Sequence, residues 1–581
     1  MDADGRSAAT RRHFLTLLTA ASAVGLFEAC APPPAAAPAL TPAPQGATAA
    51  GPTAPASSGP TPAPVATPAT VVPTTAAAKP ASGAPGPAQT FVYGLSADPT
   101  NIDPHQTVDG NALLAISRVY NGLVQLRPGA PKPGAPLEVD PDLAESWQVS
   151  DDSLRYSFKL RSGLKFADGS PLDAQAVKWS FDRLMGINKS AAANIRQLKS
   201  TEAPDATTVV MTLSEPFAYF LPSLGTYASG IINPRAAEKQ SNNDQAQDWL
   251  SNNALGSGPY QMTDWQRGQR VTLDYNPNWY GKEPSIKRVI LNIVPESTNL
   301  KLQLQKGDID FMSPISTPEM LSLQGQPGVR IEEVPSLLLI LAYLNNTKPP
   351  LDNVKVRQAM SYAINYDQII QELIAGKGRR LRGPLAFGME GYDDDLKGYD
   401  YDPARAKQLL ADAGFSGGID LTLTYSSQGA PGADDVAQAA QSNLGDVGIR
   451  VKIEKVAEPT RRERIDKSDF QWSVGGWTPP LPTPPWTMDK WFLSDNKGLN
   501  ANRAFYGNPQ VDQLVKQAPT ILDAPKRIDT YRQAQNIIVD EAPYILFYQA
   551  NQILGMRDNV QGFEIKPGGS HYLSFEKLSK T

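Results

Sequence analysis

From Ala31 to Thr90 the chain consists mostly of Ala, Pro, Thr, Gly and Ser, and Lys79 is its only charge. Such a segment buries too little apolar surface to offset the entropy lost on ordering, so it is expected to stay disordered. Proline biases it toward extended polyproline backbone at ~3.1 Å per residue, which makes residues 31–89 a semi-rigid tether. A core must therefore be built from residues 90–581. That length exceeds the ~250–300 residues at which one hydrophobic core stops growing, so at least two lobes are expected.

Upstream of the tether, Thr10-Arg11-Arg12-His13-Phe14-Leu15 opens an apolar run that ends at Phe27, and Cys30 follows. The run is well short of the ~20 residues needed to cross a bilayer as a helix, which favours an export signal over residues 1–30. The arginine pair ahead of Phe-Leu resembles a twin-arginine signal, implying export after folding; an ordinary secretory signal is the alternative. Cys30 sits where a lipoprotein is processed and acylated, although Phe27-Glu28-Ala29 departs from the Leu-small-small pattern usual there. As the only cysteine it leaves no route to an internal disulfide. Signal, lipid anchor and spacer together imply a domain working just outside a membrane.

Beyond the tether, strand-like and helical patterns interleave. "RVTLDYN" (270–276), "KRVILNIV" (287–294) and "IDLTLTY" (419–425) alternate as strands. "DAQAVKWSFDRL" (173–184), "NVKVRQAMSYAI" (353–364) and "PARAKQLLADAGF" (403–415) carry helical spacing, and Gly414 supplies a C-terminal stop. Interleaving of this kind argues for α/β lobes. The formal charge of -5 lacks the basic footprint that a nucleic-acid partner requires.

A longer stretch, "LAESWQVSDDSLRYSFKLRSGLKFADGSPLDAQAVKWS" (143–180), is followed by "GSGPYQM" (256–262), "YNPNWYG" (275–281) and "LQKGDIDF" (304–311). Later come "DNVKVRQAMSYAINYDQII" (352–370), "NRAFYGNPQVDQL" (502–514) and "EAPYILFYQ" (541–549). Taken in order, these motifs closely resemble the solute-binding proteins of the peptide/nickel class that serve ABC transporters. The resemblance implies a two-lobed, periplasmic-binding-protein-like α/β fold with crossing strands at its hinge and an extra subdomain inserted in lobe one. Ligand is then enclosed as the lobes shut. Carried onto this chain, lobe one spans 90–136, 255–343 and 545–581, the inserted subdomain 137–254, and lobe two 344–544. Gly256-Ser257-Gly258-Pro259 marks the return to lobe one and reads as a tight turn needing glycine dihedrals.

The resemblance further implies that the strand ending in Gly476-Trp477 delivers the following loop to the cleft. Binders of dipeptides and oligopeptides carry an aspartate three residues after that tryptophan, where it pairs with the peptide's amino terminus. Here the position is Pro480. A buried ammonium without a counter-charge costs several kcal/mol, so a free amino terminus is not expected to be held in that manner. Asp489 substitutes only if the loop folds back. What remains is aromatic: Trp477, Trp486 and Trp491 offer flat rings worth ~0.5–2 kcal/mol each against a peptide side chain, a sugar face or a cation. Trp472, alternating with Val474, reads as core. Other cleft candidates are Ser96 and Asp98 after the first strand, with Tyr343 and Asn345 at the second crossing.

Catalytic signatures such as HExxH and GxxxxGK[S/T] do not occur. His105 reads as a surface or hinge histidine, and with distant His571 it makes a poor nickel site. "DDDLKG" (393–398) starts like a calcium loop, but Lys397 takes a ligand position and Ala404 replaces the closing glutamate. A carboxylate-based hydrolase leaves no linear trace and stays open, as does a surface adhesin. The reading is a monomeric, exported, lipid-tethered receptor without cofactor or metal. It captures a peptide and passes it to an ABC permease; an oligosaccharide or other aromatic-stacking solute is the alternative ligand.

Overall fold

The computed structural model describes residues 85–107, 109–129, 134–189, 191–313, 315–498, 501–564 and 573–581. The arginine pair, Cys30, the tether as far as residue 84, and His571 lie outside the described residues. No helix among the described residues is long and apolar enough to cross a membrane.

Eleven strands join into one mixed sheet. In chain order they are β1 (Thr90–Leu95), β2 (Tyr260–Gln266), β3 (Arg270–Tyr275), β4 (Arg288–Ile293), β5 (Phe311–Met312) and β6 (Val329–Leu344). They continue with β7 (Gly378–Arg380), β8 (Ile419–Tyr425), β9 (Ile449–Lys455), β10 (Trp472–Trp477) and β11 (Tyr544–Arg557). The lateral order is β9-β8-β10-β6-β11-β5-β1-β4-β3-β2, with β7 pairing on β11 off that path. The alternating runs at 270–276, 287–294 and 419–425 thus form β3, β4 and β8, since period-two apolarity suits a sheet whose faces differ in burial.

β6 and β11, at 16 and 14 residues, are far longer than their neighbours. They pair antiparallel from Val329↔Arg557 to Tyr343↔Tyr544 and so run through both halves of the sheet. On one side, β5, β1, β4, β3 and β2 cover a core containing Phe91, Tyr260, Leu291, Phe311 and Phe575. On the other, β10, β8 and β9 cover a core containing Ile340, Leu423, Val436, Trp472 and Phe547. Between the pairs Pro335↔Asn551 and Leu339↔Gln549, β6 advances four residues while β11 advances two. This bulge bends the ladder where the chain passes from one lobe to the other. Ser336 Oγ donates to the Ala550 carbonyl at 2.7 Å and Gln549 Nε2 to the Ser336 carbonyl at 2.5 Å, so the irregular backbone is tied locally. Pro335, lacking an N–H, suits such a break.

A separate antiparallel sheet comprises Ala144–Val149, Arg155–Leu160, Thr208–Leu213 and Leu198–Asp205, in that lateral order. The helix Ala174–Ile187 packs on it, begun by Asp173 accepting from Ala176 N and ended by Asn188 in left-handed backbone at φ 46°. Ala174, Val177, Phe181 and Leu184 form its buried face. The same apolar cluster also contains Trp491, Phe492 and Tyr531 from the far part of the chain. This small sheet therefore shares a core with helices of the second lobe.

Two sequence expectations change. Gly256 and Gly258 are absent from the positive-φ glycines, so dihedral freedom is not what they supply. A Cβ on Gly256 would lie 2.0 Å from the Val119 carbonyl oxygen, and one on Gly258 2.4 Å from that of Arg118. Close backbone approach is the constraint. His105 is 1% exposed rather than on the surface. Its Nδ1 lies 3.0 Å from Arg183 Nη1 and its Nε2 3.2 Å from the Gly230 carbonyl. Arginine can only donate, so Nδ1 accepts and Nε2 carries the hydrogen. Burial and the neighbouring Arg183 charge bring this imidazole down to about 4, while Asp103 opposes them. Arg183 is itself paired with the fully buried Asp103, Nη2 to Oδ2 at 2.6 Å.

Candidate functional site

β10 carries Trp472 and Val474 into the second lobe's core, which leaves Ser473, Gly475 and Trp477 on the opposite face. Gly475 is required there: a Cβ would sit 2.0 Å from the Tyr343 hydroxyl. That hydroxyl accepts from Arg503 Nη1 at 2.7 Å, and Tyr343 itself is fully buried. Trp477 ends the strand half-buried, with its ring centroid 5.6 Å from that of Trp491. Trp491 is a core residue rather than an exposed ring. It is 2% exposed and stacks on Tyr544 at 5.3 Å and 16°. Its burial follows from helical spacing, because Met488, Trp491 and Phe492 share the inner side of the helix Pro485–Phe492.

The outer side of that helix faces the turn Ala192–Ile195 and the residues leading into strand Leu198–Asp205. Between them lies a cavity of about 50 Å³, lined in part by Asn194, Arg196, Gln197, Phe217, Trp486 and Asp489. Arg196 Nη2 reaches Asp489 Oδ2 at 3.2 Å across the seam. Asp489 is 5% exposed, Asn194 8% and Gln197 3%. Asp489 Oδ1, Asn194 Oδ1 and Gln197 Oε1 each lack a hydrogen-bond donor in the protein. Burial raises the Asp489 carboxyl to about 6, with Arg196 and Lys490 pulling the other way. The Lys490 ammonium stands 5.9 Å from the Trp486 ring.

Other contacts close the same seam. Ala218 N donates to the Pro519 carbonyl at 2.9 Å, and Gly134 N to that of Met389 at 3.1 Å. Arg527 lies 5.4 Å from the Tyr219 ring centroid and pairs with Glu390 Oε1 at 2.6 Å, both charges being nearly sealed from solvent.

The anticipated residues do not gather at one point. Trp477 and Tyr343 both pack against Trp491, and Trp486 lines the cavity one helical side away. Asn345 is fully buried, its Nδ2 donating to Ser468 Oγ and the Phe470 carbonyl, its Oδ1 accepting from Thr347. Asp98 accepts from Trp265 Nε1 at 2.9 Å and Gly268 N at 3.1 Å, bracing the β2–β3 hairpin of the other lobe. Ser96 is exposed just past β1. Asn194, Arg196 and Gln197 were not anticipated. They lie 293 residues from Asp489 in the case of Arg196, and no linear pattern links such positions.

Residues 138–498 match the family model described as bacterial extracellular solute-binding proteins, family 5 middle. The probable D,D-dipeptide-binding periplasmic protein DdpA of Escherichia coli (strain K12) is 38% identical over 501 residues, covering 86% of this chain and 96% of that one. The glutathione-binding protein GsiB of Escherichia coli O1:K1 / APEC is 29% identical over 489 residues, covering 83% and 93%. Among solved structures, the periplasmic binding protein DppA from Helicobacter pylori in complex with the peptide STSA superposes with a TM-score of 0.73 at 26% identity, covering 84% and 98%. By both the matched length and the shared two-lobed architecture, this chain belongs to family 5 of the bacterial extracellular solute-binding proteins.

Proposed function

We propose that the protein is the extracytoplasmic receptor of an ABC importer, closing its two lobes on a peptide and passing it to the permease. The observation that carries the peptide assignment is the 38% identity, over nearly the whole globular chain, to a relative named for binding D,D-dipeptides. The crossing pair β6–β11 with its bulge supplies a hinge suited to closure. Ligand touching both lobes only when they are shut shifts the population toward the closed form, which the permease then selects. Within this reading, lobe one comprises 90–136, 255–343 and 545–581, the insert 137–254, and lobe two 344–544. Trp477, Trp486 and Ser96 contact ligand, while Tyr343, Asn345 and Asp98 hold the surrounding loops. The protein acts as a monomer, is exported through its arginine-pair signal and is held at the membrane by a lipid on Cys30. It binds without catalysing.

The test is mass spectrometry of material co-purifying with the exported protein, followed by titration calorimetry with L,L- and D,D-dialanine. Saturable binding of a peptide without turnover is the expected outcome. Co-purified oligosaccharide, or hydrolysis of the added peptide, would overturn the reading.

A further inference from the structure

The edge of β11 changes partner at the hinge. Residues 548–550 pair with β7 of the second lobe, while Gly555 and Met556 pair with β5 of the first. Between them Asn551 N donates to the Lys377 carbonyl at 3.0 Å, and Gln552 Nε2 donates to Ser313 Oγ at 2.9 Å. The step between lobes therefore falls at Asn551–Gln552, opposite the β6 bulge that starts after Pro335. Glu333 stands on the first lobe's side of that bulge, opposite Ile553, which packs in a first-lobe core with Leu300 and Leu304. Its carboxylate nevertheless reaches over the step. Oε2 accepts from Lys377 Nζ at 2.7 Å and Oε1 from Asn551 Nδ2 at 2.6 Å. We infer that Glu333 is a hinge strut, a positioning residue that holds the angle at which the lobes shut and thereby sets ligand affinity.

Both ends of the strut are anchored. On the second lobe's side, Gly378 and Arg379 pair with Ala550 and Gln549, and a Cβ on Gly378 would lie 2.6 Å from the Gln549 carbonyl oxygen. Gln549 accepts from Phe387 N at 2.7 Å and donates to the Phe387 carbonyl at 3.0 Å. The Arg379 guanidinium covers the Phe387 ring, 3.4 Å from its centroid. Residues 377–387 thus travel with the second lobe's half of β11. Arg380 and Arg382 both turn to Asp400, so Lys377 is the cation of this strip that pairs with the first lobe. The lobes are shut in this arrangement, with Ala218 and Arg196 of the insert touching Pro519 and Asp489 of the second lobe. A rotation that parts them moves Lys377 relative to Glu333, because each is fixed to a different half of the crossing strands. The Glu333 and Lys377 side chains are 34% and 37% exposed, so solvent screens the pair and its effect is a small factor rather than a lock. A small factor suffices, since apparent affinity scales with the shut fraction when the shut form is the minor one. The strut rests on the hinge closure proposed above, and the peptide enters only as the ligand that measures it.

Closure is read by energy transfer on the full-length chain carrying Cys30→Ser, with dyes on Lys306→Cys and Lys407→Cys, one exposed site in each lobe. Glu333→Gln and Lys377→Met are each expected to move the ligand-free transfer efficiency away from its ligand-saturated value. Each is also expected to weaken dialanine binding about two- to fivefold. The exchange of Glu333→Lys with Lys377→Glu keeps opposite charges, and Asn551 can turn its amide oxygen to the new ammonium, so both readouts should return toward wild type. Ligand-free transfer unchanged in both single variants overturns the strut. Weaker binding with unchanged transfer overturns it too, and makes Glu333 a ligand contact instead. A shifted transfer in a protein that binds no dialanine sustains the strut and overturns the peptide reading. Wild-type transfer that ignores bound dialanine overturns the hinge closure, and the strut with it.

Discussion

At the residue scale, the structure separates side chains that brace the protein from those still free to meet a ligand. Asn345 and Asp98 spend their polar atoms on neighbouring loops, whereas Trp477 ends its strand half-buried beside the aromatic block. Trp477→Ala is expected to weaken peptide binding by roughly two- to tenfold in titration calorimetry while leaving a cooperative melt, since one stacking ring is worth ~0.5–1.5 kcal/mol. His105 predicts a pH dependence. Its folded value near 4 lies below the ordinary 6.5, so the stability it supports is complete above pH 6.5 and drains as pH falls toward 4. Asp489, raised to about 6, contributes the opposite slope between about pH 4 and 6. The comparison that isolates His105 is therefore wild type against His105→Gln, in denaturant titrations from pH 7 to 4. The variant should lose the decline, because an amide accepts from Arg183 and donates to Gly230 without ionising.

Elements were more legible than the contacts between them. Alternation gave β3, β4 and β8 to within a residue or two, and helical spacing gave Ala174–Ile187, Val354–Ala363 and Pro403–Asp412, with Gly414 at φ 89° as the stop. Those patterns are local consequences of which face is buried. Gly256 reads locally as a turn glycine, because close approach to Val119 is a tertiary fact with no local signature. The seam residues Asn194 and Gln197 carry no linear signature for the same cause. Gly256→Ala is expected to cost ~2 kcal/mol or more in chemical denaturation, as neither backbone can yield easily. Glu390→Ala should be harsher, ~3–5 kcal/mol, because it strands the buried Arg527 guanidinium. Glu390→Gln, which keeps an acceptor for Arg527, should lose less.

For the whole molecule, the proposed hinge closure makes binding and compaction one event. Peptide at a hundred times its dissociation constant is expected to add ~2.7 kcal/mol to the unfolding free energy, read as a concentration-dependent rise in melting temperature. Small-angle scattering should show a smaller radius of gyration with ligand; an unchanged profile alongside tight binding would argue against hinge closure. The placement of β11 carries one more consequence. Residues 544–557 occupy the middle of the sheet, hydrogen-bonded to β5 on one side and β6 on the other. A nascent chain lacks that strip until residue 557 has emerged. Before that point neither half of the sheet can join the other, however well each has already formed.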